Sequence, residues 1–127
     1  MTYGFSKTTI LSYDHAIERV VDELKKEGFG VLTTIDVKET MKKKLDVDFP
    51  KYVILGACNP PFAYKALQAE EQIGLLLPCN VVVFEKAGRT VVAAFDPMAM
   101  VKVMENETIL PIAQEMKQRL ERVIAAV

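Results

Sequence analysis

The spacing of apolar residues divides this chain into strand-like and helix-like stretches. From Tyr3 to Leu11 the residues are rich in aromatic and β-branched types and the run stops at Ser12, which predicts a first strand. Beyond Ser12 the period changes. Tyr13, Ala16, Ile17, Val20, Val21 and Leu24 recur at three and four positions, with Asp14 and Glu18 early and Lys25 and Lys26 late, as the dipole of a helix favours. Gly28 follows as a residue able to take the left-handed conformation that ends a helix. Phe29 to Ile35 predicts a second strand, and Asp36-Val37-Lys38-Glu39 has the form of a capping box opening a short helix through Met41 to Leu45.

Lys51 to Ala57 is almost continuously apolar, which suits a central strand covered on both faces or nearly so. Asn59 is placed to cap a helix whose first positions are Pro60 and Pro61, where a missing N–H leaves no bond unmade. The buried face of that helix is expected to use Phe62, Ala63, Ala66, Leu67 and Ile73. Val81 to Glu85 and Thr90 to Phe95 are β-rich runs separated by Lys86-Ala87-Gly88-Arg89, the pattern of a hairpin. Asp96-Pro97 reads as an N-cap and first helical position for a short Met-rich turn through Met104. Ile109, Ile112, Ala113, Met116, Leu120, Val123, Ile124 and Val127 then form the single apolar stripe of a last helix. The expected fold is one α+β domain over residues 1–127: a mostly antiparallel five-stranded sheet with the long helices packed on one face, in β-α-β4-α order with short inserted helices.

Composition narrows the function classes. A chain of 127 residues has the size of a single domain, and 50% hydrophobic against 26% charged residues places it among folded proteins. With 16 basic and 17 acidic side chains there is no overall field to gather nucleic acid or anionic lipid, so neither a nucleic-acid nor a membrane partner is expected. The first residues lack the basic start and apolar core of a secretion signal, and the longest apolar stretch, Ile73 to Phe84, is too short to span a bilayer and is interrupted by Pro78 and Asn80. The expected compartment is the cytoplasm, where two cysteines are held as thiols rather than as a structural bridge.

Chemistry concentrates in two matched passages. One apolar run ends in Cys58-Asn59-Pro60-Pro61 and another begins after Leu77-Pro78-Cys79-Asn80, so both cysteines sit where a buried strand meets a proline-fixed backbone. Convergence of Cys58 and Cys79 at one end of the sheet would suit a ligand, a metal ion or thiol redox chemistry, with Cys58 ahead of a helix N-terminus that favours thiolate. Plain packing competes with this reading, because cysteine is among the most buried residue types and neither thiol has a C-x-x-C spacing or a basic neighbour. His15 is the only histidine, so a closed Cys/His zinc site would need carboxylates or partner residues, while two thiolates alone suit monovalent copper. No phosphate-binding glycine loop is present, and Pro60 and Pro61 deplete the donors of the nearest helix start. No nucleophile signature or paired general acid and base marks a catalytic residue.

The segments Ile54-Leu55-Gly56-Ala57-Cys58-Asn59-Pro60, Ala66-Leu67, Gly74-Leu75-Leu76-Leu77-Pro78-Cys79-Asn80-Val81-Val82-Val83 and Asp96-Pro97 together resemble the family catalogued as domain of unknown function 302. The resemblance extends over essentially the whole chain. It implies a fold similar to one half of the TATA-binding protein, commonly assembled as a homodimer, and it implies no activity, cofactor or catalytic residue. The expected function is non-catalytic binding of a small molecule or metal by a homodimer. The candidate ligand residues are Cys58, Asn59, Cys79, Asn80 and Asp96, with Cys58 and Cys79 as the metal candidates. A thiol- or metal-dependent redox protein using Cys58 and Cys79 is the enzyme alternative, and a purely structural interaction module is the third reading.

Overall fold

A computed structural model describes residues 1–127. Five strands form one sheet: β1 (Gly4–Thr9), β2 (Gly30–Asp36), β3 (Tyr52–Cys58), β4 (Cys79–Lys86) and β5 (Arg89–Phe95). Their order across the sheet is β1-β5-β4-β3-β2, and every neighbouring pair is antiparallel. The helices are α1 (Tyr13–Lys26), α2 (Val37–Leu45), α3 (Pro60–Ala69), α4 (Met98–Val103) and α5 (Ile109–Ala126), with a 3-10 turn over Glu71–Leu76.

Strand alternation separates two faces. Val53, Leu55 and Ala57 of β3, Val81 and Val83 of β4, and Val92 and Ala94 of β5 are buried together with Ala16, Val20 and Leu24 of α1 and Leu120, Val123 and Ile124 of α5. The two long helices therefore cover one face, and α1 leads from β1 at one edge of the sheet to β2 at the other. A second cluster, Ala66, Ile73, Met100, Ile109 and Ala113, packs α3, the 3-10 turn and α4 against the start of α5.

The local signals act as physical chemistry requires. Ser12 Oγ accepts the His15 N–H at 3.2 Å, Asp36 Oδ1 accepts the Glu39 N–H at 3.0 Å, and Asp96 Oδ1 accepts the Met98 N–H at 2.9 Å. Gly28 follows α1 with φ +86°, as its helix-ending role demands. Two expectations change. The helix that begins at Pro60 stops at Ala69, and Ile73 is buried from the separate 3-10 turn rather than from the same helix. The hairpin loop is shorter than the four residues of the sequence reading, because Lys86 and Arg89 still pair. Only Ala87 (φ +52°) and Gly88 (φ +75°) make the turn, and two positive φ values match the right-handed twist of the flanking strands.

Candidate functional site

β3 and β4 bring the two cysteines to the same end of the sheet. Ala57 pairs with Cys79 across the ladder, and Cys58 is the last residue of β3 before the chain turns at Asn59 into α3. Alternation alone would put residues 58 and 79 on opposite faces. They share one cavity because it wraps the end of the sheet, taking Ala57 and Cys79 from the helix-covered side and Cys58, Pro78 and Leu32 from elsewhere around the rim. Its volume is about 290 Å³, and 14 of its 17 lining residues are hydrophobic.

The remaining wall comes from α3 (Phe62, Ala63, Ala66, Leu67), from α5 (Ile112, Ala113, Met116) and from Met100 of α4. The opening is marked by lining residues that stay exposed, Leu32 at 67% and Leu67 at 44%. Leu32 lies at a register irregularity between Val31 and Thr33, and this bulge takes it out of the ladder at the cavity rim. The Leu77–Pro78 peptide bond is cis.

Both cysteines are free thiols. Burial raises the pKa of Cys58, and for Cys79 burial, followed by the proximity of Cys58, raises it from 9.0 to about 11. Each is therefore protonated at neutral pH, and the shift of Cys58, caused by burial, runs opposite to the thiolate expected at the start of α3.

The other candidates separate. Asn59 is buried and lines the cavity, yet its side chain does not cap α3; Nδ2 donates to the carbonyl of Glu27 at 3.3 Å. Arg119 Nη1 donates to that same carbonyl at 2.9 Å, so Asn59 joins α3 to the end of α1 and to α5. Asn80 is exposed on β4 and lies outside the cavity lining, because its parity is opposite to that of Cys79. Asp96 also lies outside the lining: one oxygen accepts the Met98 N–H from one position ahead of the Pro97 cap of α4, and the other is 3.1 Å from Lys117 Nζ. His15 is exposed on α1 and absent from the cavity, and no group of three or more His, Cys, Asp or Glu side chains is placed to hold a metal ion. Met116 and Leu32 line the cavity without having been singled out as site residues by the sequence.

The family profile described as "Domain of unknown function DUF302" matches residues 5–127. The chain belongs to the DUF302 family. A crystal structure of an uncharacterized conserved protein DUF302 from Bacillus stearothermophilus is similar to this DUF302 domain at 31% identity, with a TM-score of 0.92 over 99% of this chain and 98% of that one. Comparison with curated proteins gives no match. No helix of the DUF302 domain is long and apolar enough to cross a membrane.

Proposed function

We propose that this DUF302 domain is a non-catalytic binding domain whose ligand is a small apolar molecule held in the cavity at the Cys58 and Cys79 end of the sheet. The observation that carries this reading is the lining itself, about 290 Å³ of space walled by 14 hydrophobic residues and opening at Leu32 and Leu67. A dry cavity of roughly 150 Å³ admits benzene, so about twice that volume has room for a bicyclic ring or a medium-length alkyl chain. The only titratable groups in the wall are the two thiols, and both are held protonated. That supports packing and contact roles for Cys58 and Cys79 over the redox alternative, which needs a thiolate.

Binding of 1-octanol, measured by calorimetry, tests the reading. The domain is expected to bind it, and Ala63→Leu, which places three further carbons into the cavity from a half-buried position, is expected to weaken binding at least tenfold with little change in unfolding midpoint. Unchanged affinity in Ala63→Leu, or no binding by the parent domain, would overturn it.

A second copy of the chain is the proposed partner. Ile35, Ile54, Val82, Phe84, Val91 and Ala93 share the sheet face opposite α1 and α5, and none of the six is buried. The rings of Tyr52 and Phe84 stack on the same face at 5.1 Å. A contiguous apolar face of this kind favours association, and a two-fold interface needs only a patch that matches itself. The net charge of −1 sets up little repulsion between copies. Light scattering at micromolar concentration is expected to give twice 14.2 kDa, falling to 14.2 kDa in Val82→Asp; a monomeric parent domain removes the proposal. The likeness to one half of the TATA-binding protein is supported by the antiparallel sheet and its one-sided helices, and sharing a fold carries no argument for DNA binding.

A further inference from the structure

We infer that the ligand is an amphipathic monoanion, such as a medium-chain or aryl carboxylate, with its apolar body in the cavity and its charge on the Phe62 side of the wall, toward Lys65 and Arg119. The inference rests on the cavity-binding reading and specifies the chemistry of the occupant. Its basis is the environment of Phe62, the aromatic residue that α3 contributes to the cavity wall. Two cations sit over this ring, Lys65 Nζ at 5.3 Å from the centroid and the Arg119 guanidinium carbon at 5.2 Å; neither is itself a lining residue, and Phe62 is what joins them to the cavity.

These cations differ in how far the protein already satisfies them. Arg119 Nε donates to Glu115 Oε1 at 2.9 Å and Nη1 to the Glu27 carbonyl at 2.9 Å, which leaves Nη2 without a protein partner. Lys65 is exposed and makes no hydrogen bond or salt bridge within the chain. The nearby Glu27 carboxylate is taken by Arg122, whose Nη2 lies 2.8 Å from Oε1. Pairing Glu115 with Arg119 and Glu27 with Arg122 leaves the Lys65 charge uncompensated beside Phe62.

Inside, the chemistry is opposite. The thiols are protonated, the Asn59 amide nitrogen is committed to Glu27, and no carboxylate or base lines the wall, so a charged group placed there would lose its hydration without compensation. An occupant with an apolar body and one anionic end meets both conditions at once. A cationic end would face Lys65 and Arg119, and a neutral end would leave the free donors unused.

Calorimetry with octanoate, 1-octanol and octylammonium separates these cases. Octanoate is expected to bind at least tenfold tighter than octylammonium. Lys65→Met, which keeps an unbranched side chain over Phe62 and removes the charge, is expected to weaken octanoate about fivefold and to leave 1-octanol within twofold; added salt is expected to weaken octanoate alone. Should 1-octanol bind while octanoate matches octylammonium, or should Lys65→Met shift octanoate and 1-octanol equally, the anion inference falls and the cavity reading stands. Failure of all three to bind overturns both.

Discussion

Gly56→Ala is expected to destabilise the domain by about 2–3 kcal/mol, the upper part of the roughly 1–3 kcal/mol typical of forcing extra carbon into a packed site. Gly56 is buried in β3 and pairs with Thr33 on one side and Asn80 on the other. A Cβ at this position would overlap Thr33 Oγ1 and stand 2.8 Å from Pro78 Cγ. Thr33 is exposed and can turn its hydroxyl away, whereas the proline ring is fixed to the backbone that delivers Cys79 into β4. Urea unfolding at constant slope measures the loss. Adding Thr33→Ala to the Gly56→Ala chain relieves one of the two contacts and is expected to restore part of the stability, a coupling that two independent sites would not show. A Gly56→Ala midpoint equal to that of the parent would refute the steric account.

The alkaline limb of stability is expected to carry the signature of Cys79. Below pH 9 its thiol is protonated in both folded and unfolded chains, so this group adds no slope. Above 9.0 the unfolded chain releases the proton while the folded chain keeps it until about pH 11. The unfolded state then binds fewer protons, so stability falls as pH rises and levels off beyond about 11; two pKa units correspond to roughly 2–3 kcal/mol. Tyr13, whose pKa is raised by burial and then by Asp36, Asp14 and Glu85, acts in the same direction, as does Cys58. Comparison with Cys79→Ala isolates the group: the difference in unfolding free energy between the two chains should shrink from pH 9 to 11. A constant difference over that interval would contradict the depth of burial assigned to this sulfur.

Most of the architecture was legible because it rests on local rules. The three-and-four spacing from Tyr13 to Leu24 identified α1, and the caps at Ser12 and Asp36 engage the backbone as their residue type predicts, while at Asp96-Pro97 the helix starts one residue later, with Pro97 at the cap and Asp96 bonded to the Met98 N–H. Asn59 marks the limit of such rules. Its position at the start of α3 was correct, but a tertiary acceptor, the Glu27 carbonyl, takes its side chain in place of a helix N–H. The cavity was visible only as two cysteine passages. Its space arises where Ala57, Ala63, Ala66 and Ala113 from β3, α3 and α5 meet, and small residues in separate elements reveal a void only once their faces are brought together. Asn80 was grouped with Cys79 by adjacency, although neighbours in a strand point to opposite sides. The pairing of Lys65 and Arg119 about Phe62 joins α3 to α5 and has no periodic trace in the chain.

The strand order has a kinetic consequence. β2, β3, β4 and β5 each lie beside their chain neighbours, so that meander assembles through comparatively short loop closures, while β1 must wait for β5 to arrive from the far end of the chain. The seam from Gly4–Phe95 to Thr9–Thr90 is thus expected to be the last to zip, and the β1 amides are expected to exchange with solvent through partial opening faster than those of β3 and β4 at the centre of the sheet.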